Sequence, residues 1–265
     1  MKKLKFRYHL KIEFDQPVCQ HSFTVRCTPE TDERQQILQL NERILPEESL
    51  GKGRDSFGNS YIYGKAQQPH SIFEALSEGI VLTGLQEFVT AKDVWQLDMF
   101  AMQTGYTKPG SALERFFESQ RLPETESPLQ KSLFFMERMR EHFSYAQGRT
   151  DISTTAEAAW QQGCGVCQDY AHILLSLCRM AKIRCRYVAG MLIGEGASHA
   201  WIEVEDGGRW YGLDPTNGVQ VFEDHIKISH GRDYGDCLLN QGVFTGNARQ
   251  QSFVSVSVEE QFGNE

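Results

Sequence analysis

Cys164 and Cys167 stand three residues apart in QQGCGVCQDYAHILLSLCRM, residues 161–180, and His172 follows the second thiol by five positions. Three chemistries fit so local a pattern: a redox dithiol, half of a zinc site, or a thiol nucleophile at the head of a helix. A zinc site needs two further ligands at compatible spacing, but Cys178 and Cys185 do not make a second C-x-x-C. A dithiol at a helix start should follow a strand in a βαβ unit, whereas TTAEAAWQQG before it reads as a helix. A nucleophile needs a base, and the base needs a group that orients it.

From Asp169 onward, Ile173, Leu174, Leu177, Cys178 and Ala181 recur at helical spacing,. Cys167 is therefore expected at or just before the N-terminus of a buried helix, where free amides and the macrodipole favour a thiolate. Cys178 and Cys185 are expected in the core, as cysteines commonly are. His172 lies roughly 140° around the helix from Cys167 and is expected to make a polar contact near Asp169. His199 is the better base. In HAWIEVEDGGRWYGLDPTNG, a two-residue turn at Asp206-Gly207 sets His199 directly opposite Asp214,. Their Cβ atoms would be about 5 Å apart, giving an imidazole with a carboxylate to orient it. Trp201 and Trp210 on the same hairpin suit either groove walls or a packing face.

These groups must be carried by elements. Leu4, Phe6, Tyr8, Leu10, Ile12 and Phe14 alternate with polar residues, the period of a half-buried strand,. Phe23, Val25 and Cys27 continue the alternation, and RDSFGNSYIYGK supplies a turn and another strand. Residues 1–83 are expected to form a β-rich, sandwich-like N-terminal domain, and 84–110 a linker. Residues 111–232 then carry the core. Helices are expected to start at Ser111 with Glu114, at Ser127 with Pro128 and Gln130, and at Thr154 with Glu157 as capping boxes. Gly148 and Gly163 should stop the second and third. After 183 the pattern returns to strands, and residues 233–265 end in another, SFVSVSVEE.

The whole chain has 265 residues, with 27 Lys and Arg against 35 Asp and Glu, a net charge of −8. That balance, with no dense basic cluster, argues against a nucleic-acid partner. No stretch approaches the roughly 20 apolar residues of a membrane span. Seven cysteines cannot all pair in disulfides, and a reducing, cytoplasmic setting is expected.

GCGVCQDYAH, RYVAGML, HAWIEV and WYGLDPTNG, in that order, resemble the bacterial transglutaminase-like cysteine protease family. HIKISHGRDYGD is similar to the family's downstream segment, and FRYHLKIEF with DSFGN to its accessory β domain. The resemblance implies an α+β fold: a papain-like, transglutaminase-like core behind a β-sandwich-like domain. It implies Cys167 as nucleophile, His199 as base and Asp214 as orienter. No cofactor or metal is expected, since no Asp/Glu loop has the spacing of calcium ligands,. Cys164 stands where the pattern tolerates various residues, and GEGAS before His199 is short. The expected activity is hydrolysis or acyl transfer at an amide bond of a peptide or protein, through a thioester. Two other classes remain: a thiol-disulfide oxidoreductase using Cys164 and Cys167, and a binding module without turnover.

Overall fold

The computed structural model describes residues 1–46, 49–92, 94–122 and 126–261. The alternation at the N-terminus becomes strand β1 (Lys2–Val25), with Leu4, Phe6, Tyr8, Leu10, Ile12 and Phe14 all buried. Four antiparallel strands follow: β2 (Gln35–Leu45), β3 (Leu50–Arg54), β4 (Ser60–Ala66) and β5 (His70–Thr83). At its middle β1 changes partners. Pro17 has no N–H to give a ladder, Gln20 takes φ +50°, and the register breaks there. The first half of β1 pairs with β5, the second with β4.

In the span read as a linker lie β6 (Phe88–Thr90) and a 3-10 segment, Val94–Ala101. Helices α1 (Ser111–Ser119) and α2 (Pro128–Arg140) precede a two-residue strand, β7 (Ser144–Tyr145). Then come α3 (Ala156–Gln162), β8 (Cys164–Gly165) and α4 (Cys167–Met180). The remaining strands are β9 (Cys185–Leu192), β10 (Gly194–Gly196), β11 (His199–Asp206), β12 (Arg209–Asp214), β13 (Val219–Gln220), β14 (His225–Gly231), β15 (Asn240–Thr245) and β16 (Gln250–Glu260). One sheet runs β13-β12-β11-β9-β14, with β6 also on β12. The other is built on β1: β15 and β16 return from the end of the chain to pair with it, and β10 adds to β16. The fold is α+β. No helix among the described residues is long and apolar enough to cross a membrane.

Helix α4 is wrapped on nearly every side, with each residue from Asp169 to Arg179 buried. Ala200, Ile202 and Val204 of β11 join its core, whereas the alternate residue Trp201 packs with Val188 and Val221 in a separate cluster. The sheet thus carries two buried faces, and His199, Trp201 and Glu203 share the one away from that core.

Several local expectations are corrected. Ser111 is the first residue of α1 rather than its cap; the Glu157 carboxylate of α3 accepts from the amides of Gly110, Ala112 and Leu113 at 3.0, 2.9 and 3.0 Å. Glu157 therefore caps a neighbouring helix, and Thr155, not Thr154, caps its own. Helix α2 starts at Ser127 and Pro128 as read, but stops at Arg140, well before Gly148. The hairpin turns at Gly207-Gly208, with φ of +60° and +79°, the pair of positive values that a tight I′ turn requires. Asp206 then faces Arg209 and Ile202 faces Leu213.

Candidate active site

Cys167 is the first residue of α4, and the chain before it is shaped by two glycines. Gly163 ends α3 in the left-handed conformation, φ +73°. Gly165 lies against Asp169, where a Cβ would come within 2.3 Å of the carboxylate. The Asp169 side chain accepts from the Val166 amide at 2.8 Å and from the Thr150 hydroxyl at 2.7 Å. Burial raises its pKa, and these two donors act against that rise. The turn that presents the sulfur is thus tied at both ends. The thiol is half-buried, and it lies close enough to the His199 imidazole to help raise that ring's pKa.

His199 heads β11 and is 9% exposed. Its Nε2–H donates to Asp214 Oδ2 at 2.8 Å, leaving the rest of the ring for the thiol. The one-residue move of the turn carries every facing partner along by two positions. Parity along a strand is therefore kept, and His199 meets Asp214 diagonally instead of head-on. Asp214 is fully buried. Oδ2 also accepts from His225 Nε2 at 3.1 Å and Asn217 Nδ2 at 2.7 Å, while Oδ1 accepts from the Thr216 and Asn217 amides at 3.0 and 3.2 Å.

The charges follow from this wiring. Burial alone would push the Asp214 carboxyl up, but the hydrogen bonds from His199, His225 and Asn217 hold it far below the usual carboxylate range,. Burial would likewise depress His199. The hydrogen bonds and charges of Asp214 and Cys167 prevail and raise it to about 9. The arrangement favours an imidazolium between a carboxylate and a sulfur.

His225 was not singled out by the sequence. It lies on β14, which neighbours β9 and not β12, and no local spacing reports a contact between strands so far apart in sheet order. Gly190 of β9 opens the way, since a Cβ there would lie 2.3 Å from both the Trp201 ring and the Ile226 carbonyl. His172 differs from expectation: its Nε2 accepts from the Tyr234 amide at 3.2 Å, away from Asp169. Trp201 and Trp210 are both buried packing residues, Trp210 beneath the Arg186 guanidinium at 4.3 Å. Cys178 and Cys185 lie in the core. Cys164 is half-buried beside the Gln162 amide, 3.9 Å from its sulfur.

His199, Asp214 and His225 bring three ligand-type atoms within 4.8 Å of one another. Ligands around a tetrahedral ion spread to about 3.3 Å apart. Here both imidazole nitrogens approach one oxygen at 2.8 and 3.1 Å, and Asn217 donates to the same oxygen. The spacing is that of a hydrogen-bond network.

The profile of the transglutaminase-like superfamily matches residues 119–215, which include Cys167, His199 and Asp214. The bacterial transglutaminase-like N-terminal region matches residues 4–82. Residues 119–215 thus carry the core of the transglutaminase-like superfamily. The chain is similar in sequence and length to an uncharacterized protein of Mycobacterium leprae (strain TN), 26% identical over 265 residues, covering 92% of this chain and 94% of that one. An uncharacterized protein of Mycobacterium tuberculosis (strain H37Rv) is 29% identical over 269 residues, covering 88% and 84%. A crystal structure from Cytophaga hutchinsonii shares the transglutaminase-like fold, with a TM-score of 0.76 at 21% identity over 100% of this chain and 93% of that one.

Proposed function

We propose that this protein is a cysteine-dependent hydrolase of amide bonds in peptides or proteins, with Cys167 as nucleophile, His199 as acid and base, and Asp214 as orienter. The observation that carries the reading is the 2.8 Å hydrogen bond between His199 and the buried Asp214, on an imidazole whose pKa the helix-initiating thiol of Cys167 also raises. The protein from Cytophaga hutchinsonii bears the description of a candidate cysteine protease, which agrees with this chemistry.

The Cys167 sulfur, having given its proton to His199, attacks the substrate carbonyl carbon. The developing oxyanion is met by the Cys167 backbone N–H, one of the first-turn amides that no intrahelical carbonyl takes up. His199 returns the proton to the departing nitrogen, the C–N bond breaks, and a thioester remains. Water, giving a proton to His199, then attacks the thioester carbonyl; the C–S bond breaks, His199 returns the proton to the sulfur, the acid product leaves, and the free thiol is regenerated. Asp214 keeps Nε2 protonated throughout and stabilises the imidazolium. Since Cys167 is only half-buried, water reaches the thioester, and hydrolysis is favoured over transfer to an amine. The odd number of cysteines, seven, fits a reducing, cytoplasmic setting, which we propose with this activity,.

The test is mass spectrometry of a peptide library incubated with the protein, with and without a primary amine. Chain scission or glutamine deamidation that vanishes in Cys167→Ala is the expected result. Amine incorporation in place of hydrolysis would make the protein a transferase. No product under any condition, with Cys167 no more reactive to iodoacetamide than the other thiols, would overturn the enzyme reading.

A further inference from the structure

Asp214 Oδ2 is shared by two imidazoles, and Cys167 acts on the one of His199. His225 Nε2 donates to that oxygen at 3.1 Å beside the 2.8 Å bond from His199. The rings of the two histidines are 6.0 Å apart. His225 is 7% exposed, so it belongs to the buried frame of the site and not to its surface.

On its far side, His225 Nδ1 has no protein partner among the described residues, and the same holds for Trp201 Nε1. Both residues line one small cavity of about 10 Å³, about the room a single water needs. The two atoms are complementary. An indole N–H can only donate. An imidazole whose Nε2 donates to a carboxylate has, when neutral, an Nδ1 that only accepts. Burial keeps His225 below the ordinary histidine range despite the pull of Asp214. Its other charged or titratable surroundings are His199 and Glu203 on β11, Lys227 on its own strand, and Asp32 and Arg34 from the segment between β1 and β2. Cations and anions are mixed among them.

We infer that His225 is a positioning residue that acts through Asp214: fixed as the neutral Nε2–H tautomer, it holds Oδ2 in place and takes up part of the charge that Asp214 would otherwise direct at His199. A water bridging Trp201 Nε1–H to His225 Nδ1 fits the cavity and both atoms. The inference rests on the proposed Cys-His-Asp reading and adds to it a limit on how firmly His199 keeps its proton. With one N–H donor fewer, the buried carboxylate is less stabilised and pulls harder on the remaining imidazole, so the pair with His199 tightens.

The experiment follows iodoacetamide labelling of Cys167 by mass spectrometry from pH 5 to 10 in the full chain. In His225→Leu, which cannot donate, the alkaline limb set by His199 moves up by about half a unit to one unit. His225→Gln, whose amide can still donate to Oδ2, restores the original limb. An unmoved limb in a folded His225→Leu, or a Gln variant identical to Leu, overturns the inference. Two-bond ¹H–¹⁵N spectra of the unmodified protein read the tautomer without any substitution. The expected signature between pH 6 and 8 is that of a neutral Nε2–H ring for His225; a charged ring or the Nδ1–H tautomer overturns it. His199→Ala separates the two levels. If that variant leaves the labelling profile as it was, the underlying Cys-His-Asp reading fails; if it abolishes the alkaline limb while His225→Leu does not move it, only the present inference fails.

Discussion

At the scale of single residues, Cys167, His199 and Asp214 could be picked out because each stands where its type has a use: a thiol at a helix start, an imidazole and a carboxylate across a hairpin. His225 could not, since its contact with Asp214 depends on the curl of a whole sheet. The raised pKa of His199, about 9, defines a pH prediction. In Asp214→Asn the alkaline limb of Cys167 labelling should fall toward the ordinary histidine value of about 6.5, and turnover should drop by about a thousandfold or more. For stability the signs are opposite for the two partners. His199, raised in the folded state, contributes fully below about pH 6.5, and its contribution is lost as pH rises through about 9,. Asp214, lowered in the folded state, contributes above about pH 4 and loses that contribution as pH falls,. Thermal melts of wild type and Asp214→Asn from pH 3 to 10 should therefore differ most between about pH 4 and 6.5, draw together as pH rises through about 9, and only begin to narrow below about pH 4,. A second residue-level outcome separates acyl transfer from dithiol chemistry: Cys164→Ala should retain hydrolysis within about twofold, since Cys164 touches neither His199 nor Asp214 in the described contacts,.

Elements were legible where their signal is local. The six alternating apolar residues of β1 and the helical spacing after Asp169 gave strand and helix, and Ser127-Pro128 and Gly163 marked ends that the structure has. Three details were not legible because they depend on which neighbour arrives. Glu157 has the spacing of a self-cap, yet its carboxylate serves α1. DGG allows two turns, and the choice falls to Gly207-Gly208, where both residues have positive φ. Residues 88–90, with no strand pattern of note, are recruited by the free edge of β12. The start of α4 is the element on which chemistry depends. Gly165→Ala would drive a methyl to within 2.3 Å of the Asp169 carboxylate, so either the carboxylate or the turn must shift. The expected cost is about 1–3 kcal/mol of stability, with a fall in kcat that exceeds the change in KM because the sulfur is displaced. Asp169→Asn should be milder, since an amide oxygen can still accept from Val166. Equal losses in both variants, read by denaturation and steady-state kinetics, would show that crowding at Gly165 is not the cause.

Across the whole molecule, the N-terminal layer and the core are not laid side by side; each is completed by the other. Glu203 on β11 is fully buried and paired with Arg186 at 2.6 Å and Lys227 at 2.8 Å, with Arg34 from the N-terminal part at 3.9 Å. Removing that carboxylate charge would leave cations buried without it, and Glu203→Gln should cost about 3–5 kcal/mol. The second link bears on the site. β16 closes the sheet against β1, with Phe6 facing Val258 and Tyr8 facing Val256. Its other edge holds β10, where Gly194 faces Val258 and Gly196 faces Val256. His199 begins β11 only three residues beyond Gly196. The strand that brings His199 to Cys167 is therefore anchored, through GEG, on the end of the chain. Val256 and Val258 are 4% and 3% exposed and belong to the apolar core, so an aspartate set there at 258 should cost several kcal/mol. Val258→Asp is expected to lower Tm and to raise amide exchange over 194–199 ahead of exchange in α4. Selective labelling of Cys167 should weaken in the same temperature range, below global unfolding. Were exchange over 194–199 to rise only together with that of α4, the two layers would unfold as one unit and the anchor would have no separate hold on His199.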